Sequence, residues 1–597
     1  MLSTRSCSCS STSTSSSASP TDRSGASSPA YFHKAHSTSS LSSYSDEDEP
    51  VKREGFQDPA ALFSSSNVQR VCFVGGGYVG GPTAAVIAYC NPDIAVTVVD
   101  LNSQLIGRWQ SKHLPIHEPE LEAVVRTARD GLAVDATTED PAARLSARQP
   151  NLFFSTNCGQ HIATADVVFL SVNTPTKLSG LGAGAATDIS MFESAVKTVA
   201  KFARPGTVIV EKSTVPCRTS QVIEDILNYH RPGVPFEVLS NPEFLAEGTA
   251  IRDLMSPSRV LIGSRVTPSG LAAAAKLASV YSWVPPSSIV QTNLYSSELS
   301  KLVANAMLAQ RISSMNTVSA ICERVGADVS EVARTIGLDP RIGGKFLRAG
   351  LGFGGSCFRK DILSLCYLAQ SLGLQDVADY WQQVITINEW QCTRFVTSVI
   401  RALNGSLRGK KIAVLGYAFK NDTSDTRESQ AAAAIRHLLA EGPLEIAIFD
   451  PRVANEQMEK ELAASLNGVP SKLNICTTAL EACENASAVL VLTEWEQFRY
   501  PPTEAQAATE ASDSVVEDCS ERYLSSPSCE AECADCANVI AQATQTTVNV
   551  DWAQVAQSMN SPAVVFDGRG MLDPIAMKEL GIRVAAIGRQ SSRSSRW

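Results

Sequence analysis

No apolar run in this chain approaches the roughly 18 residues that a membrane helix needs, and no secretory h-region opens it. Arginine and lysine are scattered rather than blocked. Together with a net charge of -10 and a pI near 5.4, that argues against a nucleic-acid surface. Cysteine is thin, at 16 in 597 residues. Such usage fits the reduced thiols of a cytoplasmic protein better than a disulfide framework. Metal-type cysteine pairing is also missing: Cys519, Cys529, Cys533 and Cys536 lack the tight paired spacing of structural zinc, so no metal is expected. These absences leave an acidic, enzyme-like chain. At about 150 residues per domain, its length implies three or four domains.

Residues 1–66 are rich in Ser and Thr and carry an acidic run, Asp46 to Glu49. They hold too little apolar surface to offset the entropy of ordering, which predicts a disordered tail. Val68 to Val74 reads as a buried strand, and strand-like runs recur at Ala95–Val99, Val167–Val172 and Val208–Val210 with helical stretches between. Alternating β and α predicts a doubly wound parallel sheet. One long helix follows, opened by Ser297 as N-cap and stopped by Gly326. At Lys411 the rhythm restarts, with strands at Ile412–Leu415, Ile446–Phe449, Ala488–Leu492 and Ala563–Phe566 and a helix near Glu428–Leu439. The fold class is therefore α/β: two Rossmann-like domains, 67–292 and 408–597, joined by a central helical region, 293–407. An Ala/Ser/Glu-rich insertion occupies 501–550, and a smaller one lies near Thr138–Pro150.

Gly75, Gly77 and Gly80, with Tyr78 and Val79 between them, form G-x-G-x-x-G after the first strand, and Asp100 closes the next. The glycines make a tight turn, admit a pyrophosphate and allow helix to pack on strand, while the helix N-terminus attracts phosphate. Asp100 suits both ribose hydroxyls and repels a 2′-phosphate, and no Arg or Lys follows it before Arg108. NAD is the expected cofactor, with FAD, which uses the same fingerprint, as runner-up. The second α/β unit has only Gly416-Tyr-Ala-Phe at its first turn and is expected to bind something else.

Chemistry is suggested by Gly352 to Asp361, where Cys357 stands among glycines with Lys360 and Asp361 just downstream. A thiolate can hold a carbonyl carbon covalently, and a thiol beside a hydride acceptor makes aldehyde-to-acid oxidation possible. Lys301 and Asn305 share one face of the long helix among mostly apolar neighbours. A buried ammonium there suits a developing oxyanion.

Gly75–Pro82, Val172–Lys177, Glu211–Pro216, Ser240–Gly248, Ser296–Lys301, Gly352–Asp361, Asp425–Arg427, Thr493–Trp495 and Phe566–Arg569 together resemble the UDP-glucose/GDP-mannose dehydrogenase family. The resemblance runs from Val68 to the C-terminus apart from the insertions. It implies that 67–292 binds NAD, that 293–407 is a dimerisation region and that 408–597 binds a UDP-sugar. The implied reaction is a four-electron oxidation of UDP-glucose to UDP-glucuronate, with no nucleic-acid or membrane partner and a homo-oligomeric, cytoplasmic enzyme. By position, Cys357 matches the nucleophile that forms a thiohemiacetal and then a thioester. Lys301 and Asn305 match residues contacting the reacting oxygen, Asp361 and Thr214 match groups placing water and moving protons, and Glu243 matches a residue tied to thioester hydrolysis. Phe244, Leu245, Arg348, Phe353, Gly354, Phe358, Phe419, Lys420 and Arg569 match substrate contacts, and Arg341 matches an arginine reaching into a neighbouring subunit's site. Thr174, Thr214, Glu247 and Arg427 match contacts to NAD.

Two positions depart from the pattern. Leu105 stands where the family often has Arg, five residues after the ribose carboxylate, and Gly570 stands where a second basic residue is usual. Rival readings are a related enzyme acting on GDP-mannose or a UDP-N-acetylhexosamine, and a catalytically silent scaffold of the same fold.

Overall fold

The computed structural model describes residue 63 and residues 67–132, 148–466, 472–502, 523–525 and 549–590. The four insertion cysteines lie outside them, as does the expected tail apart from Phe63, which is buried in the core of the first sheet.

Eight strands form that sheet: β1 (Arg70–Val74), β2 (Ala95–Val99), β3 (Leu152–Ser155), β4 (Val167–Leu170), β5 (Val208–Glu211), β6 (Glu237–Ser240), β7 (Val260–Ser264) and β8 (Ile289–Asn293). Their order is β3-β2-β1-β4-β5-β6-β7-β8, parallel except where β6 meets β7. Helices cover both faces, so the inner strands are apolar almost continuously. Alternate side chains feed separate cores: Val71 and Phe73 go to one face, Cys72 and Val74 to the other. Phe73 stacks on Phe169 across β1 and β4 at 4.4 Å.

The second sheet repeats the plan with β9 (Lys411–Leu415), β10 (Glu445–Phe449), β11 (Leu473–Ile475), β12 (Ala488–Val491), β13 (Val564–Asp567) and β14 (Arg583–Ala586). Its order, β11-β10-β9-β12-β13-β14, is parallel throughout. Each sheet reverses strand order once near its middle, between β1 and β4 and between β9 and β12. Ligands bind in such crevices, beyond the carboxyl ends of the strands.

Between the sheets runs the 32-residue helix Leu294–Val325. It begins earlier than the sequence suggested. Its N-cap is Asn293, whose side chain accepts the Ser296 N–H at 2.9 Å. Ser297 is a buried interior residue donating to the Ser240 carbonyl at 3.3 Å. Either residue type can cap a helix, and the choice fell to Asn293 because β8 delivers the chain there in extended conformation. Gly326, at φ +79, ends the helix as expected. The helices Phe358–Ser371 and Gln375–Ala402 pack beside it around Ala306, Ala309, Phe353 and Ile362.

Among the described residues no helix is long and apolar enough to cross a membrane, no three potential metal ligands gather, and the ten cysteines seen are all free.

Candidate active site

The first sheet presents its chemistry at strand carboxyl ends. Gly75 follows β1 at φ +107, and a side chain there would collide with Ser171. Gly80 starts the helix Gly80–Cys90 so near the Gly75 carbonyl that a Cβ would lie 2.1 Å from it, whereas Gly77 faces open space. Val79 is the N-cap. Asp100, half-buried at the end of β2, accepts N–H groups from Gly76 and Asn102, each at 2.9 Å, and points its carboxylate across the glycine turn. From β4, the Thr174 hydroxyl donates to the Thr214 carbonyl at 2.7 Å, tying the loops after β4 and β5 together. Leu105 packs with the apolar core beneath this turn.

Lys301 and Asn305 are both buried in the central helix. Asn305 donates to Asp361 Oδ2 at 2.6 Å, and Lys360 Nζ lies 3.0 Å from Oδ1. Asp361 is itself buried, one turn into the helix that starts at Phe358, and its N–H donates to the Cys357 carbonyl at 2.9 Å. Cys357 is the exposed N-cap of that helix. The preceding loop is clamped by amides. Asn388 binds both the N–H (2.8 Å) and the carbonyl (3.0 Å) of Phe353, and Gln391 donates to the Gly350 carbonyl at 2.8 Å. Phe353 is buried edge-on against Phe358. Gly354 and Gly355 press against Phe419, where a Cβ on either would lie 2.9 Å from that side chain.

Glu243, just beyond β6, is more constrained than the sequence revealed. One carboxylate oxygen accepts the Phe244 and Leu245 N–H groups at 2.7 and 3.0 Å, and the other pairs with buried Lys212 at 2.9 Å. Lys212 also donates to Asn241 Oδ1 at 3.1 Å and lies 3.4 Å from the Tyr281 hydroxyl. Burial alone would raise the Glu243 carboxyl, but Lys212, with Lys301 beyond it, outweighs that and holds it below the ordinary range. Phe244 lies between two cations, Arg259 at 3.9 Å and Lys301 at 5.3 Å from its ring centre. The run Glu211–Pro216 contained Lys212 in plain view. Its importance appears only once β5 and β6 are paired.

The two sheets meet across this site. Lys420, after β9, donates to the Glu247 carbonyl, and Thr423 and Arg427 reach the Glu247 carboxylate at 3.4 and 3.3 Å. Burial, followed by Asp425, raises the Glu247 carboxyl to about 7 against the pull of Arg427. The Arg427 guanidinium lies 5.2 Å from the Tyr78 ring centre. Arg569 binds the Leu492 carbonyl at 2.7 Å and the Phe419 carbonyl at 3.2 Å, tying the second sheet to the Phe419 loop. Arg341 stays outside this group, exposed and paired with Asp339, and Arg348 is exposed.

Sequence profiles of the UDP-glucose/GDP-mannose dehydrogenase family match the chain three times: the NAD binding domain over residues 69–284, the central domain over 295–390 and the UDP binding domain over 413–523. The UDP-glucose 6-dehydrogenase 1 of Oryza sativa subsp. japonica is 44% identical over 535 residues, covering 87% of this chain and 97% of its own. That of Caenorhabditis elegans is 44% identical over 527 residues, covering 87% and 95%. Among solved structures, a UDP-glucose dehydrogenase from Pyrobaculum islandicum superposes with TM-score 0.65 at 26% identity, covering 88% of this chain and 99% of its own. Matched by all three family domains and 44% identical to these relatives over 87% of its length, this chain belongs to the UDP-glucose/GDP-mannose dehydrogenase family.

Proposed function

We propose that this protein oxidises UDP-glucose to UDP-glucuronate, using two NAD molecules per sugar. What carries the reading is Asn305 bonded to Asp361, itself one helical turn from an exposed thiol, with buried Lys301 one turn before Asn305 on the central helix and an NAD-type and a UDP-type domain on either side in sequence.

NAD, when bound, takes the hydride in each of the two oxidations. Lys301 and Asn305 stabilise negative charge as the C6 hydroxyl loses its proton, and preorganised donors of this kind act on the barrier. Cys357 adds to the resulting aldehyde, giving a thiohemiacetal whose second oxidation leaves a thioester. Water cleaves that ester, freeing the thiol and the acid. Asp361 accepts the proton from water, and Thr214 helps place it. Glu243, held ionised by Lys212, positions the reacting groups through its charge. Gly75, Gly77, Gly80, Asp100, Thr174, Glu247 and Arg427 hold NAD, and Phe419, Lys420 and Arg569 hold the nucleotide sugar.

We further infer a homo-oligomer. Among the described residues Arg341 pairs with Asp339 alone, and Ile321 and Val325 at the end of the central helix, with Leu338 after the next helix, expose apolar surface. Ten free cysteines among the described residues accord with a reducing, cytoplasmic setting.

The test is one assay of purified protein with NAD against a panel of nucleotide sugars, counting NADH per acid. UDP-glucose giving two NADH for each UDP-glucuronate is the expected result. Preference for GDP-mannose or a UDP-N-acetylhexosamine, or a stop at the aldehyde, overturns it.

A further inference from the structure

Tyr523–Ser525, within the stretch 501–550, meets the strand pair that brackets the stretch near Thr138–Pro150. Leu132 and Arg148 belong to the unit built on the first sheet, and Tyr523–Ser525 follows the second sheet's Tyr500–Pro502 in sequence. Leu132 and Arg148 form an antiparallel pair, each N–H donating to the other's carbonyl at 3.0 Å. Tyr523 forms an antiparallel bridge with Leu132, and the Leu524 N–H donates to the Gly131 carbonyl at 3.3 Å. Side chains reinforce the pairing: the Arg126 guanidinium lies 4.1 Å from the Tyr523 ring centre. Gly131, at φ +73, leaves room for Leu524, since a Cβ there would lie 2.8 Å from the Leu524 methyl.

We propose that Tyr523–Ser525 is a docking segment that adds to a sheet-like edge by one bridge and one main-chain hydrogen bond. It adds to the Leu132–Arg148 pair of the first unit, and ties the two nucleotide-binding units together outside the cleft where nucleotides bind. Strand addition to an open edge draws affinity from main-chain hydrogen bonds and selectivity from alternate side chains. A contact of one bridge and one main-chain hydrogen bond would be weak between separate molecules. Within one chain its effective concentration is high, so a weak contact stays populated. The attachment point matters because Arg148 also binds the Ala88 and Tyr89 carbonyls at 2.7 and 2.8 Å. Those carbonyls end the helix whose N-terminus carries the dinucleotide fingerprint. The docking segment therefore restrains the element that positions NAD relative to the second sheet. This inference does not depend on which sugar is oxidised.

Leu524→Pro tests it, because proline removes the donating N–H, and Leu524→Ala serves as the companion that keeps it. Amide exchange by mass spectrometry on the full-length chain should show peptides spanning 126–132 and 523–525 protected in the parent. Leu524→Pro should lose at least tenfold of that protection on both sides, and Leu524→Ala less. The KM for NAD should rise about threefold in Leu524→Pro with kcat within twofold, because a freed unit spends less time in the binding-competent arrangement. Equal exchange in parent and Leu524→Pro overturns the proposal. So does protection lost only at 523–525 with the KM unmoved.

Discussion

The six-stranded sheet repeats the order of the first six strands of the eight-stranded one, yet the two treat the same position oppositely. Asp100 follows β2 and Asp450 follows β10, each beside the glycine turn of its sheet. Asp100 is half-buried and accepts two backbone N–H groups. Asp450 is buried and accepts five donors: the N–H groups of Tyr417, Ala418, Arg452 and Val453 at 2.6 to 3.0 Å, and the Trp495 indole at 3.1 Å. A carboxylate with its acceptor sites filled has little left for ribose hydroxyls. The first turn is therefore open to a ligand and the second is closed on itself. Topology alone assigns a crevice to each sheet, and the occupancy of one carboxylate decides how that crevice can be used.

On the proposed mechanism the two sheets hold the nucleotides, and the central helical region carries Cys357, Lys301, Asn305 and Asp361. Cys357→Ser tests this most severely. Serine is a far poorer nucleophile at neutral pH, so UDP-glucuronate formation should fall by about a thousandfold or more. Binding of both nucleotides should persist in calorimetry. Full acid production at two NADH per sugar would remove the thiol from the mechanism. Lys301→Ala should lower kcat by about a hundredfold with NAD affinity nearly intact, because an oxyanion donor acts on the barrier. Turnover near the parent's would return Lys301 to a structural part.

The two aspartates can be set against each other directly. Asp100→Ala should narrow the NAD-to-NADP preference by about tenfold, an amount equivalent to ~1.4 kcal/mol, and leave the melting temperature nearly unchanged. Asp450→Ala should do the reverse, costing about 1–3 kcal/mol in urea unfolding because its donors are left unpaired. A change of cofactor preference in Asp450→Ala would break the distinction.

The smallest expected effect concerns pH. Glu211, at the end of β5, is fully buried; that burial, and then the neighbouring Glu298, hold its carboxyl well above the ordinary range. The folded state thus keeps a proton that the unfolded chain gives up near its usual pKa of about 4.3. Glu211's contribution is fully present below that value and is lost as pH rises through the folded pKa. Glu211→Gln should therefore gain stability relative to the parent at pH 8 compared with pH 5, as read from urea midpoints. An equal difference at both pH values would show Glu211 already ionised in the fold.

Local sequence carried much of this. Glycines that need positive φ or a missing Cβ mark both turns, and apolar runs located β2, β4, β5, β9 and β10 within a residue or two. Strands with polar or exposed faces escaped it. β8, Ile-Val-Gln-Thr-Asn, is largely exposed and has no apolar signature. Sequence alone also singled out Cys357, Asp361, Lys301 and Asn305 as candidates, because a thiol among glycines with a carboxylate downstream and an i,i+4 polar pair on an apolar helix are visible without a fold. Tertiary structure decided what those groups can do. Lys212 binds Glu243 only because β5 and β6 lie side by side, and Asn388 clamps Phe353 across 35 residues of chain. Trp495 seals Asp450 across 45 residues. Backbone conformation is a property of neighbours along the chain, whereas the charge and hydrogen bonding of a buried group are set by whatever packing brings against it, and only the folded chain determines that.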